Sequence, residues 1–422
     1  MSKQVLFITT VYPYPKDDGK KIILSSMLEY YIFKYGIENV HIVLIGETER
    51  NIDSSLNIIK LKKPSFPRQI FNILTYSILF KSKSLQESVL YSNRIKNKLK
   101  ELISHTKYEK VIFDTIRTAQ YFLNEPPMIN EIVYLDDLFS VRYQKMLETM
   151  ERYPNVELNP LGNFKKHLPS SFSHIVKVGF LTKILLRREM KLVRKSELNV
   201  SKRYNNCLLI SKQEIEFLNK NYGLTNIKQI KPLLDRKEYE RNLDVNDRVF
   251  IFLGNLSIAH NNVSIVNFIE KNIENMIKHN LKLKVIGKNP SERLLKLESK
   301  YRSNINVVGY VENLNEEFSK AYGMIIPLLF GSGVKIKTLE AFSIGLPIIT
   351  TDYGIEGINF KDEELNSICI VENEISNFWV KMLQICNIEL NNSISISSYK
   401  FFESNYTKEP VYSEYEGLLT SN

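Results

Sequence analysis

The stretch that decides the fold is MIIPLLFGSGVKIKTLEAFSIGLPIITTDYGIEG, residues 324–357. Its apolar start predicts a buried strand ending near Leu328, and the loop Phe330–Gly333 carries two glycines, which permit backbone angles that other residues avoid. A helix is expected from Val334, and Gly345 would end it as a left-handed cap before a proline. Apolar residues recur along that helix at the spacing of one face: Ile336, Leu339 and Phe342.

Outward from this stretch, strand-like runs and helical periodicity alternate twice along the chain, which is typical of βαβ units in parallel sheets. In the first half the predicted strands are Gln4–Thr10, Val40–Gly46, Leu56–Lys62, Lys110–Thr115, Glu131–Asp137 and Asn205–Ser211. In the second half they are Val249–Gly254, Leu281–Lys288, Ile305–Tyr310, Met324–Leu328, Leu346–Thr351 and Ser367–Val371. The sequence therefore predicts an α/β fold of two Rossmann-like, doubly wound parallel-sheet domains.

The charged stretch from Leu234 to Arg248 separates the two alternations. We predict a first domain over 1–235, onto which the C-terminal segment 396–422 packs back, a linker over 236–247, and a second domain over 248–395. Open parallel sheets bind ligands at the carboxyl ends of their strands. The active site is expected where those two edges face each other across a cleft.

Composition favours a protein without a membrane span. Of 422 residues, 43% are apolar and 25% are charged, as in ordinary globular chains. The three cysteines lack a paired spacing and predict buried thiols in a reducing compartment. The N-terminus has no signal-peptide pattern, and no apolar run reaches the roughly 18 residues of a spanning helix. We expect a cytoplasmic protein.

The glycine loop and the lysines after it suggest an anion site. Gly331, Ser332 and Gly333 lead into a helix whose first turn carries Lys335 and Lys337. Amide groups, the helix dipole and two amines would together bind a diphosphate. Deeper in the helix, a carboxylate at Glu340 would accept hydrogen bonds from ribose hydroxyls. Alternatively, Lys337 and Glu340 form an ordinary surface pair.

This segment resembles the donor-binding motif of the GT-B glycosyltransferases, in particular the retaining family 4 (glycosyl transferases group 1) and its bacterial surface-polysaccharide members. The resemblance implies that Glu340 holds the ribose of a nucleotide-sugar. The first glutamate of the family's pair would fall at Ser332, which leaves the sugar and the stereochemical outcome open. In FLGNLSIAHNN (252–262), the positions of a diphosphate-clamping Arg and Lys correspond to Asn255 and His260. A loop histidine without a chemical role is the alternative for His260.

The first half offers candidate acceptor residues. Gly19, near the start of a helix after the first strand, would bring backbone amides toward the donor. The run VYLDDLFSVRYQKM (133–146) delivers Asp136 and Asp137 to a strand end, one turn before Arg142. We interpret Asp136 as a base for the acceptor hydroxyl or a sugar ligand, oriented by Arg142. An N-cap role for Asp137 and a structural Asp–Arg pair is the alternative.

The positive charge is concentrated between Lys165 and Arg203, where 11 Lys and Arg stand against two Glu, within a chain of net charge +10. An amphipathic helix there would lie on an anionic leaflet, which favours a peripheral location at the inner membrane face and a lipid-linked acceptor. A plain solvated helix is the alternative. The region lacks the interleaved aromatic residues of nucleic-acid-binding modules, so no nucleic acid is expected.

The predicted function is hexosyltransferase-like transfer from a nucleotide-diphosphate sugar to a glycan or lipid-linked acceptor in cell-surface polysaccharide synthesis, such as capsule or O-antigen. No cofactor and no metal are expected, because the lysines would supply the charge that a divalent ion brings elsewhere. Two alternatives remain: a non-hydrolysing nucleotide-sugar epimerase of the same fold, and a non-catalytic nucleotide-binding scaffold.

Overall fold

The computed structural model describes residues 3–420, apart from 17, 47–51, 129, 153–178, 238–240, 242, 244–246, 312, 332 and 362. The chain divides into two compact units. Unit 1 comprises the described residues within 1–148, 160–233 and 411–422, and unit 2 those within 149–159 and 234–410. No described helix combines the length and apolar character that crossing a bilayer requires.

Unit 1 contains a parallel sheet of seven strands in the order β3-β2-β1-β4-β5-β6-β7. The order runs outward from β1 in both directions, so the switch point of this doubly wound sheet lies between β1 and β4. The strands are β1 Gln4–Thr9, β2 Val40–Ile45, β3 Asn57–Leu61, β4 Tyr108–Asp114, β5 Glu131–Asp136, β6 Cys207–Leu209 and β7 Ile227–Gln229.

Helices cover this sheet. They are α1 Gly19–Tyr35, α2 Phe66–Asn72, α3 Leu85–Leu90, α4 Asn93–His105, α5 Thr115–Ala119, α6 Phe139–Arg152, α7 Gly179–Arg203 and α8 Lys212–Tyr222, with a π-helix at Ile73–Leu79 and a 3-10 turn at Ile37–Asn39. Val5 and Phe7 of β1 are buried in one core with the inward face of α1, including Met27 and Tyr31.

Unit 2 contains a parallel sheet of six strands in the order β10-β9-β8-β11-β12-β13, with its switch point between β8 and β11. The strands are β8 Arg248–Leu253, β9 Leu281–Ile286, β10 Ile305–Gly309, β11 Gly323–Ile326, β12 Ile348–Thr350 and β13 Ile370–Val371. The helices are α9 Ala259–Lys278, α10 Glu292–Lys300, α11 Leu314–Lys320, α12 Ile336–Phe342, α13 Asp352–Ile355, α14 Leu365–Ile368, α15 Phe378–Ile385 and α16 Ile388–Tyr406, with a 3-10 turn at Ile375–Asn377.

Both faces of the unit 2 sheet are buried. Phe250 and Phe252 of β8 belong to the core formed with α9 and α15. Ile251, between them, belongs to the opposite core with α12 and α16. Successive side chains of a strand point to opposite faces, so a strand covered on both sides must be apolar throughout. This explains the unbroken apolar runs in the sequence.

The C-terminal helix α17, Lys408–Leu419, returns to unit 1. Its residues Val411, Tyr415 and Leu419 are buried in the core that contains α1. The predicted first domain includes all of 396–422. In the structure the chain up to Pro410 belongs to unit 2, because aromatic residues of α16 are buried there, with the Phe401 ring 5.9 Å from that of Phe342.

Eleven of the twelve predicted strands are present with shifted ends. The twelfth, Ser367–Val371, is a strand only at Ile370–Val371, because Ser367 and Ile368 belong to the helix α14. The strand β7 was not predicted, because its three residues have only Ile227 buried and carry no usable pattern. Much of the predicted linker 236–247 lies outside the described residues, and within it Arg241 donates to the Ala321 carbonyl at 2.9 Å. The cysteines are unpaired, with Cys207 and Cys369 buried and Cys386 half-buried.

Candidate active site

In unit 2 the predicted donor residues follow the two strands that flank the switch point. Asn255 and His260 come after β8, and the stretch from Gly331 to Glu340 comes after β11. Chain segments leaving neighbouring strands in opposite directions form a crevice at this edge of a doubly wound sheet. The topology therefore brings together residues that are far apart in the sequence.

The glycine loop adopts a backbone that favours glycine. Gly331 has φ 146° and Gly333 has φ 72°, both of which are unfavourable for residues with a Cβ. A Cβ at Gly331 would lie 3.5 Å from Lys335 Cε and 3.9 Å from His260 Cγ. The loop, the start of α9 and Lys335 thus meet at one point. Ser332 lies outside the described residues.

Lys335 is buried, with 7% of its surface exposed, and its Nζ donates to the Gly333 carbonyl at 2.6 Å. The predicted helix starts at Val334, but α12 begins at Ile336 with Lys335 as its N-cap residue. With seven residues, α12 aligns fewer peptide dipoles than expected. The positive charge at this edge therefore comes mainly from the lysines.

Lys337 connects the two segments. Its Nζ donates to the Leu253 carbonyl at 2.9 Å and to Asn261 Oδ1 at 2.8 Å, and it lies 4.7 Å from the centre of the Phe252 ring. Burial, and secondarily the charge of Lys335, lower the pKa of Lys337 to about 7. This amine is therefore poised to change its protonation state near neutral pH.

Asn261 was not predicted, although it organises the loop after β8. Its Nδ2 donates to the Asn255 carbonyl at 3.0 Å while its Oδ1 accepts from Lys337. A Cβ at Gly254 would lie only 2.8 Å from Asn261 Cγ, so a larger residue here would displace the Asn261 side chain. Gly254 and Asn261 are both visible in the sequence, but only the folded structure shows that they are in contact.

Asn255 and His260 differ in their surroundings. The exposed Asn255 accepts from the Ser257 amide at 3.0 Å and the Ser257 hydroxyl at 2.8 Å, which stabilises the turn. The ring of the half-buried His260 lies 6.4 Å from that of Phe330, edge to face. His260 thus lies against the glycine loop, whereas the side chain of Asn255 is used in local structure.

Glu340 is half-buried on α12. Burial raises the pKa of its carboxyl group, and the charges of Lys237 and Lys337 oppose that rise. No described residue donates a hydrogen bond to this carboxylate, so its oxygens remain available as acceptors for ligand hydroxyls. This is the property that ribose binding requires.

In unit 1, Asp136 and Asp137 lie at the carboxyl end of β5, where they have different partners. Asp136 has φ 71°, accepts from the Tyr134 hydroxyl at 3.1 Å, and is 9% exposed. Burial, and then the charge of Asp137, raise the pKa of Asp136 to about 6, while the positive charges of Lys20 and Arg142 oppose that rise. A carboxyl group with this pKa can act as a base near neutral pH.

Arg142 binds Asp137, not Asp136. Its Nε donates to Asp137 Oδ2 at 2.8 Å, and an Nη group bonds the same oxygen. The expectation that Arg142 orients Asp136 directly is therefore wrong, and the pair matches the structural alternative. The amides at the start of α6 are bound by other acids, since Leu138 N donates to Glu214 at 3.1 Å and Ser140 N to Glu197 at 3.2 Å.

An ion pair at the switch point of unit 1 was missed. Lys20 Nζ lies 2.7 Å from Asp114 Oδ1, and Thr9 Oγ1 donates to Asp114 Oδ2 at 2.8 Å. The next residue, Thr115, has φ 65°, which is strained for a β-branched side chain. Gly19 is the first residue of α1 and belongs to unit 1, whereas the other predicted donor residues belong to unit 2.

Comparison with known proteins bears on both units. Residues 247–387 match the family model Glycosyl transferases group 1. A protein of Klebsiella pneumoniae described as an uncharacterized 44.6 kDa protein in the cps region is 23% identical over 421 residues, covering 97% of this chain and 98% of that protein.

Solved structures share the fold over the full length. Sucrose-phosphate synthase of Thermosynechococcus elongatus superposes with a TM-score of 0.64 at 12% identity, covering 99% of this chain and 98% of that one. WaaG, a glycosyltransferase involved in lipopolysaccharide biosynthesis, superposes with a TM-score of 0.58 at 14% identity, covering 99% of this chain and 100% of WaaG. Anabaena HepE in complex with UDP and glucose superposes with a TM-score of 0.58 at 9% identity, covering 100% of both chains.

The two parallel sheets are those of the GT-B architecture, which confirms the predicted fold class. The match to the family model contains the whole donor segment, from Asn255 to Glu340. The chain thus has the GT-B fold, and its residues 247–387 match the group 1 glycosyl transferase family.

Proposed function

We propose that this enzyme transfers a sugar from a nucleoside-diphosphate sugar to a glycan or lipid-linked acceptor during the synthesis of a cell-surface polysaccharide. The observation that carries the donor assignment is the meeting of two segments at the switch point of unit 2. Lys337 bonds the Leu253 carbonyl, and Lys335 and His260 both lie against Gly331. Open α/β sheets bind nucleotides at this position.

The diphosphate would lie over the glycine loop. Loop amides and the Lys335 and Lys337 amines would balance the negative charge that develops on the leaving nucleoside diphosphate. Glu340 would accept the ribose hydroxyls. We propose that the reaction needs no bound metal ion, because two amines of the chain itself supply the compensating charge. HepE, of the same fold, has been captured with UDP and glucose, which supports a donor of this class.

Asp136 would accept a proton from the acceptor hydroxyl or hold the acceptor sugar. It is buried, and its raised pKa makes it a stronger base than an ordinary aspartate. Asp137 and Arg142 would act as positioning residues, since their ion pair fixes the start of α6 next to Asp136.

The biological setting is inferred from relatives. The Klebsiella pneumoniae relative is named for a cps region, and WaaG acts in lipopolysaccharide biosynthesis. Both names point to surface glycans, for which carriers at the cytoplasmic face of the membrane are the expected acceptors. We therefore propose a peripheral protein that works at that face.

The basic region Lys165–Arg203 contributes to this proposal with its described part, the helix α7. The apolar residues Leu186, Val193 and Val200 are buried within unit 1, while Arg187 and Lys191 are exposed. The exposed side of the helix is thus mainly cationic, although Ile184 is also exposed. The part of the region before residue 179 lies outside the described residues.

A transfer assay tests the proposal. The enzyme is incubated with UDP-, GDP-, ADP- and CDP-sugars, with and without an undecaprenyl-linked oligosaccharide acceptor, and release of nucleoside diphosphate is measured. We expect acceptor-dependent release from one donor, and a fall of about 10²-fold or more in Lys335→Ala. Lys296→Ala, at an exposed position on α10, is the matched control. Full activity in Lys335→Ala would contradict the donor assignment. Conversion of the donor alone into an isomeric nucleotide-sugar, without release of nucleoside diphosphate, would instead indicate an epimerase.

A further inference from the structure

The most unusual surface of the described chain lies in unit 1, on α2 and the π-helix that continues it. Six large apolar side chains in this segment are exposed to between 45% and 70% of their surface. We name them the apolar ridge: Phe66, Phe71, Leu74, Ile78, Leu79 and Phe80. An exposed contiguous apolar surface marks an interaction site in a folded protein.

The inner face of the same segment is polar, which inverts the usual pattern of a surface helix. Gln69, Asn72 and Ser77 are buried, next to a single buried apolar residue, Ile73. Asn72 Nδ2 donates to the carbonyls of Ser88 at 3.0 Å and Tyr91 at 2.8 Å. Asn72 thus anchors the segment to the chain at Ser88 and Tyr91, and these hydrogen bonds help to hold the apolar residues outward.

The π-helix strengthens this arrangement. In Ile73–Leu79 the backbone bonds run from residue i+5 to residue i, as from Phe80 N to the Thr75 carbonyl at 2.9 Å. Leu74 and Leu79 are therefore one turn apart on the same face. Arg188 of α7 donates to the carbonyls of Ser77 at 2.8 Å and Ile78 at 2.7 Å, which holds the end of the segment in place.

The charge within the segment that carries the ridge has one sign. Residues 60–83 contain six Lys and Arg and no Asp or Glu. Lys62, Arg68 and Lys81 are exposed, and the Arg68 guanidinium lies 5.0 Å from the centre of the Phe71 ring. Apolar side chains flanked by cations complement an anionic lipid surface, where the rings enter the acyl boundary and the cations meet phosphate groups.

We propose that the apolar ridge docks this enzyme on a bilayer containing anionic phospholipids. The proposal deepens the proposed function by naming the surface through which the enzyme reaches a lipid-linked acceptor. Phe71, Leu79 and Phe80 insert among the lipids, while Arg68 and Lys81 bind the head groups. The rigid inner face keeps the side chains outward before the membrane is met, so docking requires no refolding of the segment.

A flotation assay with the full chain tests the ridge. The probes are vesicles of phosphatidylcholine alone and of phosphatidylcholine with phosphatidylglycerol at a ratio of about 7:3, at low salt. Leu79→Ser with Phe80→Ser removes two exposed apolar side chains from the ridge. Ile277→Ser with Ile396→Ser, at exposed positions in unit 2, is the matched control. We expect the ridge variant to partition onto anionic vesicles at least about tenfold more weakly than the wild type, and the control to match the wild type.

A second pair of variants tests the cations. Arg68→Gln with Lys81→Gln should weaken binding to anionic vesicles by about fivefold per charge, whereas Lys278→Gln with Lys296→Gln, which has the same net charge, should not. Equal binding by the ridge variant and the wild type, or equal binding to both vesicle types, would overturn the proposal. So would light scattering that shows a wild-type dimer and a monomeric ridge variant, since a second copy would then cover the ridge. Because the assay contains no sugar donor, its failure leaves the transfer activity untouched.

Discussion

At the scale of single residues, burial changes the roles that the motif suggests. Lys335 and Lys337 look equivalent in the sequence, yet Lys335 bonds within its own loop, whereas Lys337 bonds groups at the end of β8 and in α9. Lys337 therefore both holds the loop in place and supplies charge. Its replacement should affect stability as well as donor binding.

The pH dependence of stability tests the environment of Lys337. Its pKa is about 7 in the folded chain and near 10.5 when unfolded, so the unfolded state binds more protons between these values. Folding stability should thus rise between about pH 7 and 10.5, by up to about 1.4 kcal/mol per pH unit from this group. Urea unfolding of the wild type and Lys337→Met at pH 7 and 9 checks this. An unchanged difference between the two proteins would show that Lys337 has an ordinary pKa.

Replacing Asp136 should affect turnover, whereas replacing Asp137 should affect stability. Asp136→Asn should lower turnover by about 10²–10⁴-fold with little change in melting temperature, because it removes a base. In the wild type, activity should rise with pH through an apparent pKa of about 6, as Asp136 loses its proton. Asp137→Asn breaks the pair with the partly exposed Arg142 and should cost about 1–3 kcal/mol of stability. Turnover measurements and thermal melts of both variants test this assignment. Loss of turnover in Asp137→Asn alone would show that Asp137, and not Asp136, is the base.

Local patterns in the sequence revealed some of these residues but not others. The glycines at 331 and 333, the two lysines and Glu340 are neighbours in the chain and could be read directly. Asn261 acts through contacts with Gly254 and Lys337, and Lys20 through a contact with Asp114, so their roles exist only after folding. The backbone strain at Thr115 and Asp136 likewise depends on how β4 and β5 end.

At the scale of elements, the turn between β8 and α9 depends on close contact between Gly254 and Asn261. Gly254→Ala would place a Cβ 2.8 Å from Asn261 Cγ and should cost about 1–3 kcal/mol through overpacking. It should also weaken nucleotide binding by displacing Asn261 from Lys337. Gly417→Ala, in α17 where an added Cβ would meet open space, is the control and should be neutral or slightly stabilising. Chemical denaturation measures both; equal stability of the two variants would argue against the contact.

The sequence pattern predicted a membrane surface in the basic region 165–203, whereas the proposed apolar ridge lies on other elements. Apolar residues at helical spacing in α7 suggest an amphipathic surface, but the sequence does not reveal which face the protein itself covers. In the structure α7 buries apolar residues such as Leu186 and Val193, whereas α2 and the π-helix bury Asn72 and expose Phe71 and Leu74. Hydrophobic periodicity locates a helix face but not the partner of that face.

At the scale of the molecule, the C-terminal helix α17 completes the core of unit 1. Val411, Tyr415 and Leu419 are fully buried there, and burial of each such side chain contributes about 1.5–3 kcal/mol. Removing 411–422 should therefore take away much of the roughly 5–15 kcal/mol typical of a folded domain. Removal of 420–422 alone is the control. Melting temperatures of both shortened chains test this, and a truncation at 410 as stable as the full chain would contradict the packing.

The positions of the strands along the chain were predictable because buried parallel strands have strong apolar patterns, as in β8 and β11. The boundary between the two units near the C-terminus was harder to predict, because the return of α17 to unit 1 depends on long-range packing of Tyr415 in the core that contains α1. The meeting of segments at the switch point of unit 2 follows from strand order, which no single stretch of sequence specifies.

The central claim is that this switch point binds the diphosphate of the donor. The most direct measurement is isothermal titration calorimetry of UDP, GDP, ADP and CDP with the wild type, Lys335→Ala and Asp136→Asn. We predict that one nucleotide binds the wild type, that Lys335→Ala weakens its affinity by about tenfold or more, and that Asp136→Asn leaves it unchanged. Equal affinity of the wild type and Lys335→Ala for that nucleotide would contradict the claim.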